Sequence, residues 1–549
     1  MIRLLSLVAW TCWVFLVLGV IWAAGRGIEL TDEAYYILSA LHPDQVTLYV
    51  SAQHWTLAPL WAVTQSLLAF RLLGAAILLG SAGVLALGLG RALGALGRPL
   101  GAGQGAMVAA AGVGALLYVA TIAPSPSYNL LASAGAYGAV GLALMALAGR
   151  GGWSLLAGLA LAVCLVNKPS AGVSVALVIL GLVLVLQPNR RGALVLAGGI
   201  AGTLALLVLM VALQPATPGV WASLQGGLEL FRQVQTEPVG ARLWRYGETL
   251  AWSFGGGLYA FAPALAALAL WWVIPRRWML LPALAAGLWT LSAYGNHLGG
   301  MQSYQAMAEA IYVAVAAVAV MGLGGGALPG RVRLVILALL VLPFAITVGT
   351  GNSLFTQVVV ALAPWTLAVT ALACLAPPDK PRSLGPVAVS AALLILLTVQ
   401  ITTSYLRDPY HLAAPLTGQT RKITMPELGA LQVDPQTETM LTQARAAIQA
   451  CDLKPGAAFF GLYNVPGLAL ALQAVPPVSP WLNNAAQAHS VMAHWTEAPG
   501  QRRVLALSPE ALAALSDLPP ALRPAAGYRF CGPLTFPYNG QPIQIWASP

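Results

Sequence analysis

The chain has 549 residues, of which 58% are hydrophobic and only 8% are charged, with a formal net charge of +10. Soluble domains carry about 25% charged residues, so this composition excludes an ordinary soluble protein and indicates a polytopic α-helical membrane protein. The basic residues lie mostly between apolar runs, where Lys and Arg hold short loops on the cytoplasmic side. The positive charge therefore indicates membrane orientation and not nucleic-acid binding.

The first apolar run begins Met-Ile-Arg and occupies residues 1–24. About 20 apolar residues are enough to cross a bilayer, whereas the apolar part of a cleaved signal peptide is about 7–15 residues long. "WAAG" at 22–25 resembles a cleavage site only weakly. We expect an uncleaved first transmembrane helix.

Thirteen apolar spans of suitable length are predicted along the chain. The least certain region is 153–187, where "NKPS" (167–170) interrupts one apolar stretch. Such a break is tolerated at membrane depth only beside protein or a water-filled cavity. Segment 56–70 is short for a span and reads as a helix lying in the membrane interface. The predicted spans are 4–24, 72–90, 106–123, 129–149, 153–167, 170–187, 192–213, 249–273, 279–295, 305–325, 332–349, 355–375 and 384–404.

The distribution of basic residues over alternate loops gives the orientation of these spans. If the N-terminus with Arg3 is cytoplasmic, every short loop on that side is basic, as the positive-inside rule requires. The N-terminus is then inside, and everything after residue 405 is outside. The polar loops 25–71, 214–248 and 296–304 share the outer face, where an active site would lie. The basic residues of the inner loops are Arg91, Arg98, Arg150, Arg190, Arg191, Arg276, Arg277, Arg331, Arg333, Lys380 and Arg382.

The chain becomes less apolar after the last predicted span, which divides it into a membrane domain, 1–404, and a small extracytoplasmic α/β domain, 405–549. Helical periodicity at 437–451 and 511–518 alternates with strand-like patterns at 456–465, 502–508 and 541–547. Cys451 and Cys531 fall in this domain on the oxidising side, so they either form a disulfide or remain as two buried thiols.

Asp32 and Glu33 stand side by side in "LTDEAYYILSALHP" (30–43), in a chain with only 17 acidic residues. One interpretation is a helix start, with Thr31 or Asp32 as the cap and the early acids favoured by the helix dipole. The other is a general base at the membrane face. Because neighbouring helical residues point about 100° apart, at most one of the two carboxylates meets a given substrate atom.

Basic residues of the outer face are the complement of these acids. Arg232, Arg242 and Arg245 could bind a phosphate through forked hydrogen bonds, or could contact lipid headgroups or pair with Glu237 and Glu248. Lys168 lies in the break within the apolar stretch. A charge there is either functional or paired, or its long side chain extends to the membrane–water interface.

A metal site is a weaker possibility. His42, Asp44 and His54 could form an oxygen and nitrogen site with Asp32, but their spacing is not diagnostic. No cofactor is therefore predicted with certainty, and a divalent metal remains possible. His297 and Tyr304 flank a Gly-Gly loop and give a weak signal for a site.

The order of several short motifs resembles a known family. "TDEAYY" (31–36) follows the first span, "FRLLGA" (70–75) places an arginine before the second, "SPSYNLLASAGAY" (125–137) separates the third and fourth, and "LVNKPSAGVSV" (165–175) follows. This order, over roughly residues 1–400, is similar to that of the C-type integral-membrane glycosyltransferases. The branch that it resembles holds protein O-mannosyltransferases and lipid A aminoarabinose transferases.

The resemblance implies sugar transfer, with inversion, from a polyprenyl-phosphate donor to an acceptor hydroxyl on a lipid, glycan or protein, at the outer face of a bacterial inner membrane. Asp32 would act as the base, and Glu33 would support it or bind the acceptor. Lys168, Arg232, Arg242 and Arg245 are positional assignments for the donor phosphate. The expected cavity residues are Tyr35, Tyr36, His54, Tyr128, His297 and Tyr304.

Two other classes of protein remain open from the sequence. A transporter or flippase of a lipid-linked substrate would need polar groups along a path through the bilayer, whereas the charges here collect on one face. A non-catalytic cell-envelope assembly protein would use the C-terminal domain to bind partners.

Overall fold

The structure, a computed structural model, describes residues 1–122, 124–149, 151–187, 189–214, 219–235, 237–276, 278, 280–293, 304–324, 328–349, 351–377 and 381–549. Helices dominate the chain as far as Arg407, and every described strand lies beyond that residue. The helices are α1 (Ile2–Ala23), α2 (Asp32–Leu41), α3 (His54–Thr64), α4 (Leu67–Ala95), α5 (Gly103–Thr121), α6 (Tyr128–Leu147), α7 (Trp153–Asn167), α8 (Pro169–Leu186), α9 (Arg190–Ala212), α10 (Val220–Arg232), α11 (Val239–Ala260), α12 (Ala262–Val273), α13 (Leu280–Ala293), α14 (Tyr304–Gly324), α15 (Gly330–Thr347), α16 (Leu354–Val358), α17 (Ala363–Leu375), α18 (Leu384–Arg407), α19 (Pro435–Cys451), α20 (Leu468–Ala471), α21 (Ala485–His494) and α22 (Pro509–Ala513).

Eight of the described helices are long and apolar enough to cross a membrane. Two bent pairs, α11 with α12 and α16 with α17, raise the number to as many as ten if each pair is one span. The shorter apolar helices α5, α7 and α13 lie at other predicted positions. The chain is therefore a multi-pass α-helical membrane protein, as predicted, while the count of thirteen spans stays a prediction.

Helix α6 lies inside the bundle and brings one end to the site. In its apolar window 89% of the residues are buried. It crosses α4 where two glycines meet, since a Cβ at Gly88 would stand 2.2 Å from the carbonyl oxygen of Gly141. Small residues allow such close helix contacts in membranes. Ser127 caps the helix by accepting a 3.1 Å hydrogen bond from the Leu130 amide, which fixes Tyr128 and Asn129 at its first turn.

Of two predictions about helix ends, the structure confirms one and corrects the other. The NKPS break is confirmed: α7 ends at Asn167, and α8 begins with Pro169, which is tolerated at the first helical position. The start of the second span is wrong, because α4 begins at Leu67 and not at residue 72. Its first turn is capped by Ser66, so Arg71 lies inside the helix.

The C-terminal region contains six strands, most of which form one sheet. The sheet has the order β3-β4-β6-β5, with β3 and β4 parallel and the other pairs antiparallel. A separate hairpin joins β1 to β2. The predicted strands at 456–465, 502–508 and 541–547 are confirmed as β3, β4 and β6. The strands are β1 (Arg421–Met425), β2 (Gly429–Val433), β3 (Ala458–Leu462), β4 (Arg503–Leu507), β5 (Arg529–Thr535) and β6 (Pro542–Ala547).

Cys451 and Cys531 are joined by a disulfide, with Cα atoms 5.4 Å apart. The bond ties the end of α19 to β5. The C-terminal region also shares one apolar core with the helix bundle, since residues of α1 and α19 belong to the same buried cluster. The division at residues 404 and 405 remains a prediction.

Candidate active site

Glu29 supplies the side-chain hydrogen bonds that cap the helix after the first span. Glu29 Oε1 accepts from the Thr31 amide at 2.7 Å, and Oε2 accepts from the Glu33 amide at 2.6 Å. Thr31 precedes α2 but makes no capping hydrogen bond with its side chain. Thr31 therefore occupies the predicted cap position without making the capping hydrogen bond, which Glu29 supplies instead, and no described hydrogen bond uses the carboxylate of Asp32 as a cap.

Glu33 is fully buried and both of its oxygens are occupied. Arg71 donates to them from Nε at 2.8 Å and from Nη2 at 2.6 Å. Ser125 donates to Oε1 at 2.5 Å, and the Glu29 amide donates to Oε2 at 3.1 Å. Two hydrogen bonds at each oxygen leave no free acceptor for a substrate. This arrangement removes the basis for Glu33 as an acceptor-binding residue and leaves it a supporting contact.

Arg71 extends the same network to the end of the first span. Its Nη1 donates to the carbonyl oxygens of Ala24 and Arg26 at 2.9 and 3.1 Å, and its Nη2 donates to that of Gly27 at 3.0 Å. One buried guanidinium thus holds the segment after α1 and the first turn of α2 together. The position of Asp32 is fixed by this network.

Asp32 is the half-buried acid of the group. Its Oδ2 accepts a hydrogen bond of 2.5 Å from the hydroxyl of Tyr410, which lies just after α18. Burial raises the pKa of Asp32 above its ordinary value, while the Tyr410 hydrogen bond and the nearby His411 lower it. The pKa of Glu29 is also raised by burial, and its contact with His411 opposes that shift.

Five phenols lie close enough to the Asp32 carboxylate to interact with its charge: Tyr35, Tyr36, Tyr118, Tyr128 and Tyr410. The ring of Tyr36 lies 6.0 Å from that of Tyr128, centre to centre. Burial, and then the charge of Asp32, raises the pKa of Tyr36. These hydroxyls are neutral at physiological pH and can donate to a carboxylate or to a sugar oxygen.

Tyr35 lies at the edge of this group. Its ring contacts that of Tyr36 at 5.5 Å and that of Trp481 at 5.7 Å. Trp481 belongs to the C-terminal region, which therefore covers this side of the site.

Lys168 is a buried cation. It is 7% exposed, and its Nζ donates to the Thr347 carbonyl oxygen at 3.1 Å and to Asn129 Oδ1 at 3.4 Å. Across the described residues, no carboxylate lies within ion-pair distance of it. An ammonium buried without a counter-ion is unfavourable unless an anion completes the site.

Lys168 and Asp32 are linked through the first turn of α6. Tyr128 interacts with the charge of Asp32, and its neighbour Asn129 accepts a hydrogen bond from Lys168. The acid and the cation that the sequence singled out therefore lie near consecutive residues at the start of the same helix.

The three loop arginines lie elsewhere. Arg232 is exposed in the last turn of α10. Arg245 pairs with Glu237 at 2.7 Å, and Arg242 donates to the Glu237 carbonyl oxygen at 3.3 Å. Of the alternatives left open by the sequence, pairing with Glu237 is what the structure contains for Arg245. No described contact brings these arginines to Asp32.

The remaining candidates are separate from Asp32 or lie beyond the structure. His54 is buried at the start of α3 and lines a cavity of about 260 Å³ whose lining does not include Asp32. Tyr304 begins α14, and His297 is outside the described residues. Where the chain is described, no group of three or more His, Cys, Asp or Glu residues could hold a metal ion. The proposed set of Asp32, His42, Asp44 and His54 is therefore not assembled.

No protein-family model and no curated protein sequence matches this chain. Among solved structures, the crystal structure of ArnT from Cupriavidus metallidurans in the apo state aligns with 99% of this chain and 97% of its own, at 16% sequence identity and a TM-score of 0.40. A similarity at this level assigns neither an activity nor a substrate.

Several residues of the site were missed from the sequence: Glu29, Tyr410, His411 and Asn129. Tyr410 and His411 stack on each other with centres 3.9 Å apart, and His411 Nδ1 lies 3.0 Å from Thr31 Oγ1. A signal for them exists in "RDPYH" (407–411), a polar and aromatic run directly after the last span on the expected outer face.

Proposed function

We propose that this protein is a membrane glycosyltransferase of the C type. It moves a sugar from a polyprenyl-phosphate donor to an acceptor hydroxyl at the extracytoplasmic face, with inversion. The observation that carries the proposal is the contrast between Asp32 and Glu33. The oxygens of Glu33 are all occupied by protein donors, whereas Asp32 keeps a half-buried carboxylate with a single described hydrogen bond, from Tyr410.

Asp32 acts as the general base. Its carboxylate accepts the proton of the acceptor hydroxyl while that oxygen attacks the anomeric carbon of the donor sugar. The bond from that carbon to the phosphate oxygen breaks, and its electron pair leaves with the polyprenyl phosphate. Attack from the face opposite to the phosphate inverts the anomeric configuration. The raised pKa of Asp32 suits this role, because a base is most effective when its pKa approaches the operating pH.

Lys168 binds the donor phosphate. A fixed ammonium without a counter-ion stabilises the charge that develops on a departing phosphate and requires no reorganisation during the step. Asn129 and Thr347 orient the ammonium through the contacts already described. The arginines Arg232, Arg242 and Arg245 belong to the outer surface of this region, and a direct role for them in phosphate binding has less support than that of Lys168.

Glu33, Glu29 and Arg71 position the base. They fix the first turn of α2, and the phenols of Tyr36 and Tyr128 provide polar groups close to Asp32, with Tyr35 beside them. His297 and Tyr304 remain candidates for contacts with the substrate. The scheme requires no metal.

The topology supports the same assignment. The chain lies in the bacterial inner membrane with its N-terminus cytoplasmic, as the basic inner loops require. Residues 1–404 form the membrane domain, and 405–549 form an extracytoplasmic domain that supplies Tyr410 to the site. The acceptor is a lipid, a glycan or a protein.

A donor screen tests the proposal. Purified protein is incubated with a series of polyprenyl-phosphate sugars, and release of polyprenyl phosphate together with a covalent glycoside product is measured. The proposal expects both products from at least one donor. Transport of labelled lipid in proteoliposomes without any covalent product would favour the transporter instead.

A further inference from the structure

His411 follows Tyr410 in a tight turn just after α18. The Leu412 amide donates to the Pro409 carbonyl oxygen at 3.3 Å, which closes the turn. His411 has a φ of 50°, in the left-handed region that residues other than glycine seldom adopt. Residues held in this region cluster at active sites, where the surrounding contacts keep them in place. The contacts around His411 must therefore hold it in this conformation.

The turn packs against the segment between α1 and α2. Gly27 leaves room for the side chain of Leu412, since a Cβ at Gly27 would clash with it. The same segment carries Glu29, Thr31 and Asp32. The turn after the last span is therefore placed directly on the chain that leads to the proposed base.

One hydrogen bond fixes the imidazole of His411 to this segment. The Thr31 hydroxyl donates its single hydrogen to Glu29 Oε1, so while Glu29 is ionised the hydroxyl oxygen can only accept. His411 Nδ1 lies 3.0 Å from that oxygen and 3.6 Å from Glu29 Oε1. Nδ1 is therefore the protonated ring nitrogen, and its bond to Thr31 orients the ring.

Two phenol rings lie against the imidazole. Tyr410 stacks on it with centres 3.9 Å apart and planes 23° apart, and the centre of the Tyr538 ring is 4.7 Å away. Tyr538 lies between β5 and β6, so the C-terminal sheet contacts the imidazole. The imidazole in turn restricts the ring of Tyr410, whose hydroxyl donates to Asp32. A continuous series of contacts thus joins the sheet to the proposed base.

We propose that His411 is a positioning residue that holds the Tyr410 hydroxyl on the carboxylate of Asp32. No described hydrogen bond joins His411 to Asp32, so His411 acts through Tyr410. The identification of this carboxylate as a catalytic base rests on the proposed function, whereas the effect of His411 on Tyr410 does not.

A direct effect of the imidazole charge on Asp32 is the alternative. Burial raises the pKa of Asp32, and both the Tyr410 hydrogen bond and the charge of His411 lower it. Loss of either group should therefore raise that pKa, but only positioning makes the two effects overlap. The other titratable groups that interact with Asp32, none of which is changed below, are Glu29, Tyr35, Tyr36, Tyr118 and Tyr128.

The test follows the titration of Asp32 without requiring activity. Purified full-length protein is treated over a pH series with dicyclohexylcarbodiimide, which modifies protonated carboxyl groups in apolar surroundings. Peptide mass spectrometry then gives the pH midpoint of Asp32 modification. His411→Gly and Tyr410→Phe should each move this midpoint up by about one pH unit. In the variant with both substitutions, less than half of the His411→Gly shift should remain beyond that of Tyr410→Phe.

Gln473→Gly is the matched control. Gln473 also has a positive φ, of 53°, and its exposed side chain makes no described hydrogen bond. Its replacement should leave the Asp32 midpoint unchanged. Because glycine adopts a positive φ without strain, His411→Gly should remain folded, and thermal melting of every variant checks this.

The inference is overturned if His411→Gly leaves the midpoint where it is in the wild type. It is also overturned if the shifts of the two substitutions add in full, which is the result expected when the imidazole acts by its charge alone. Variants that titrate as expected in a protein that transfers no sugar contradict only the proposed function. Sugar transfer by a protein whose Asp32 midpoint ignores His411 contradicts only this inference.

Discussion

Tyr410 donates a hydrogen bond of 2.5 Å to Asp32, joining the chain after the last span to the loop after the first. The acceptor hydroxyl would bind to the same carboxylate. The Tyr410 phenol therefore influences the pKa of the base before the substrate binds. The contact links the C-terminal region directly to the proposed chemistry.

Removing this phenol should change the pH dependence of transfer. The hydrogen bond lowers the pKa of Asp32 against the larger effect of burial, so Tyr410→Phe should raise that pKa further. Since the base must be ionised, the acidic limb of the profile of kcat/KM against pH should move to higher pH. Tyr463→Phe is the control, because the buried Tyr463 hydroxyl has no described hydrogen-bond partner. An unshifted acidic limb in Tyr410→Phe would contradict the assignment of Asp32.

The buried ion pair between Arg71 and Glu33 should be essential for stability. Removing one partner of a buried pair leaves an uncompensated charge and costs about 3–5 kcal/mol, so Arg71→Met should lower the melting temperature by several degrees. Glu497→Gln is the comparison, because it removes a partly exposed pair with Arg503 that contributes about 0–1 kcal/mol. Equal melting temperatures for the two variants would show that the Arg71 network does not hold the site.

Lys168 should be required for activity but not for folding. Lys168→Met removes a buried cation that has no described counter-ion, so the melting temperature should stay the same or rise. Loss of a charge-assisted contact to phosphate should reduce kcat/KM for the donor about 10- to 100-fold. Lys454→Met, on the surface of the C-terminal region, should leave both quantities unchanged. Wild-type kcat/KM for Lys168→Met would remove Lys168 from the donor site.

The disulfide between Cys451 and Cys531 tests the orientation of the chain. If the C-terminal region is extracytoplasmic, the pair is oxidised in intact cells, and neither thiol reacts with a maleimide until a reductant is added. Replacing both cysteines by serine should destabilise this region by about 2–5 kcal/mol. Labelling of both thiols in unreduced cells would place the region on the cytoplasmic side.

Most of the helical architecture could be predicted because apolar length and loop charge are local properties of the sequence. The break at Lys168 was visible for the same reason, since proline and a charge interrupt an apolar run. The two bent helix pairs were each predicted as one span, because hydropathy carries no information about a bend in the helix.

The partners within the site could not be predicted, because they are distant in sequence. Ser125 and Arg71 meet Glu33, and Tyr410 meets Asp32, only through packing of separate helices. Local rules placed the cap and its hydrogen bond at Thr31 or Asp32, whereas the capping side chain is Glu29, two residues before Thr31 at the cap position. Because Glu29 makes the capping hydrogen bonds, the carboxylate of Asp32 is not needed for them.

The most direct test of the account is the Asp32→Asn variant, assayed with a donor that the wild type uses. An amide cannot accept the proton, so transfer should fall to background. A carboxyl whose pKa is raised by folding stabilises the fold only at acidic pH, where it is protonated, and that contribution is lost as the pH rises through the raised pKa. At neutral pH, Asp32→Asn should therefore melt at the wild-type temperature or above it. An inactive variant of unchanged or higher stability is the predicted result, and transfer at the wild-type rate would contradict the role of Asp32 as the base.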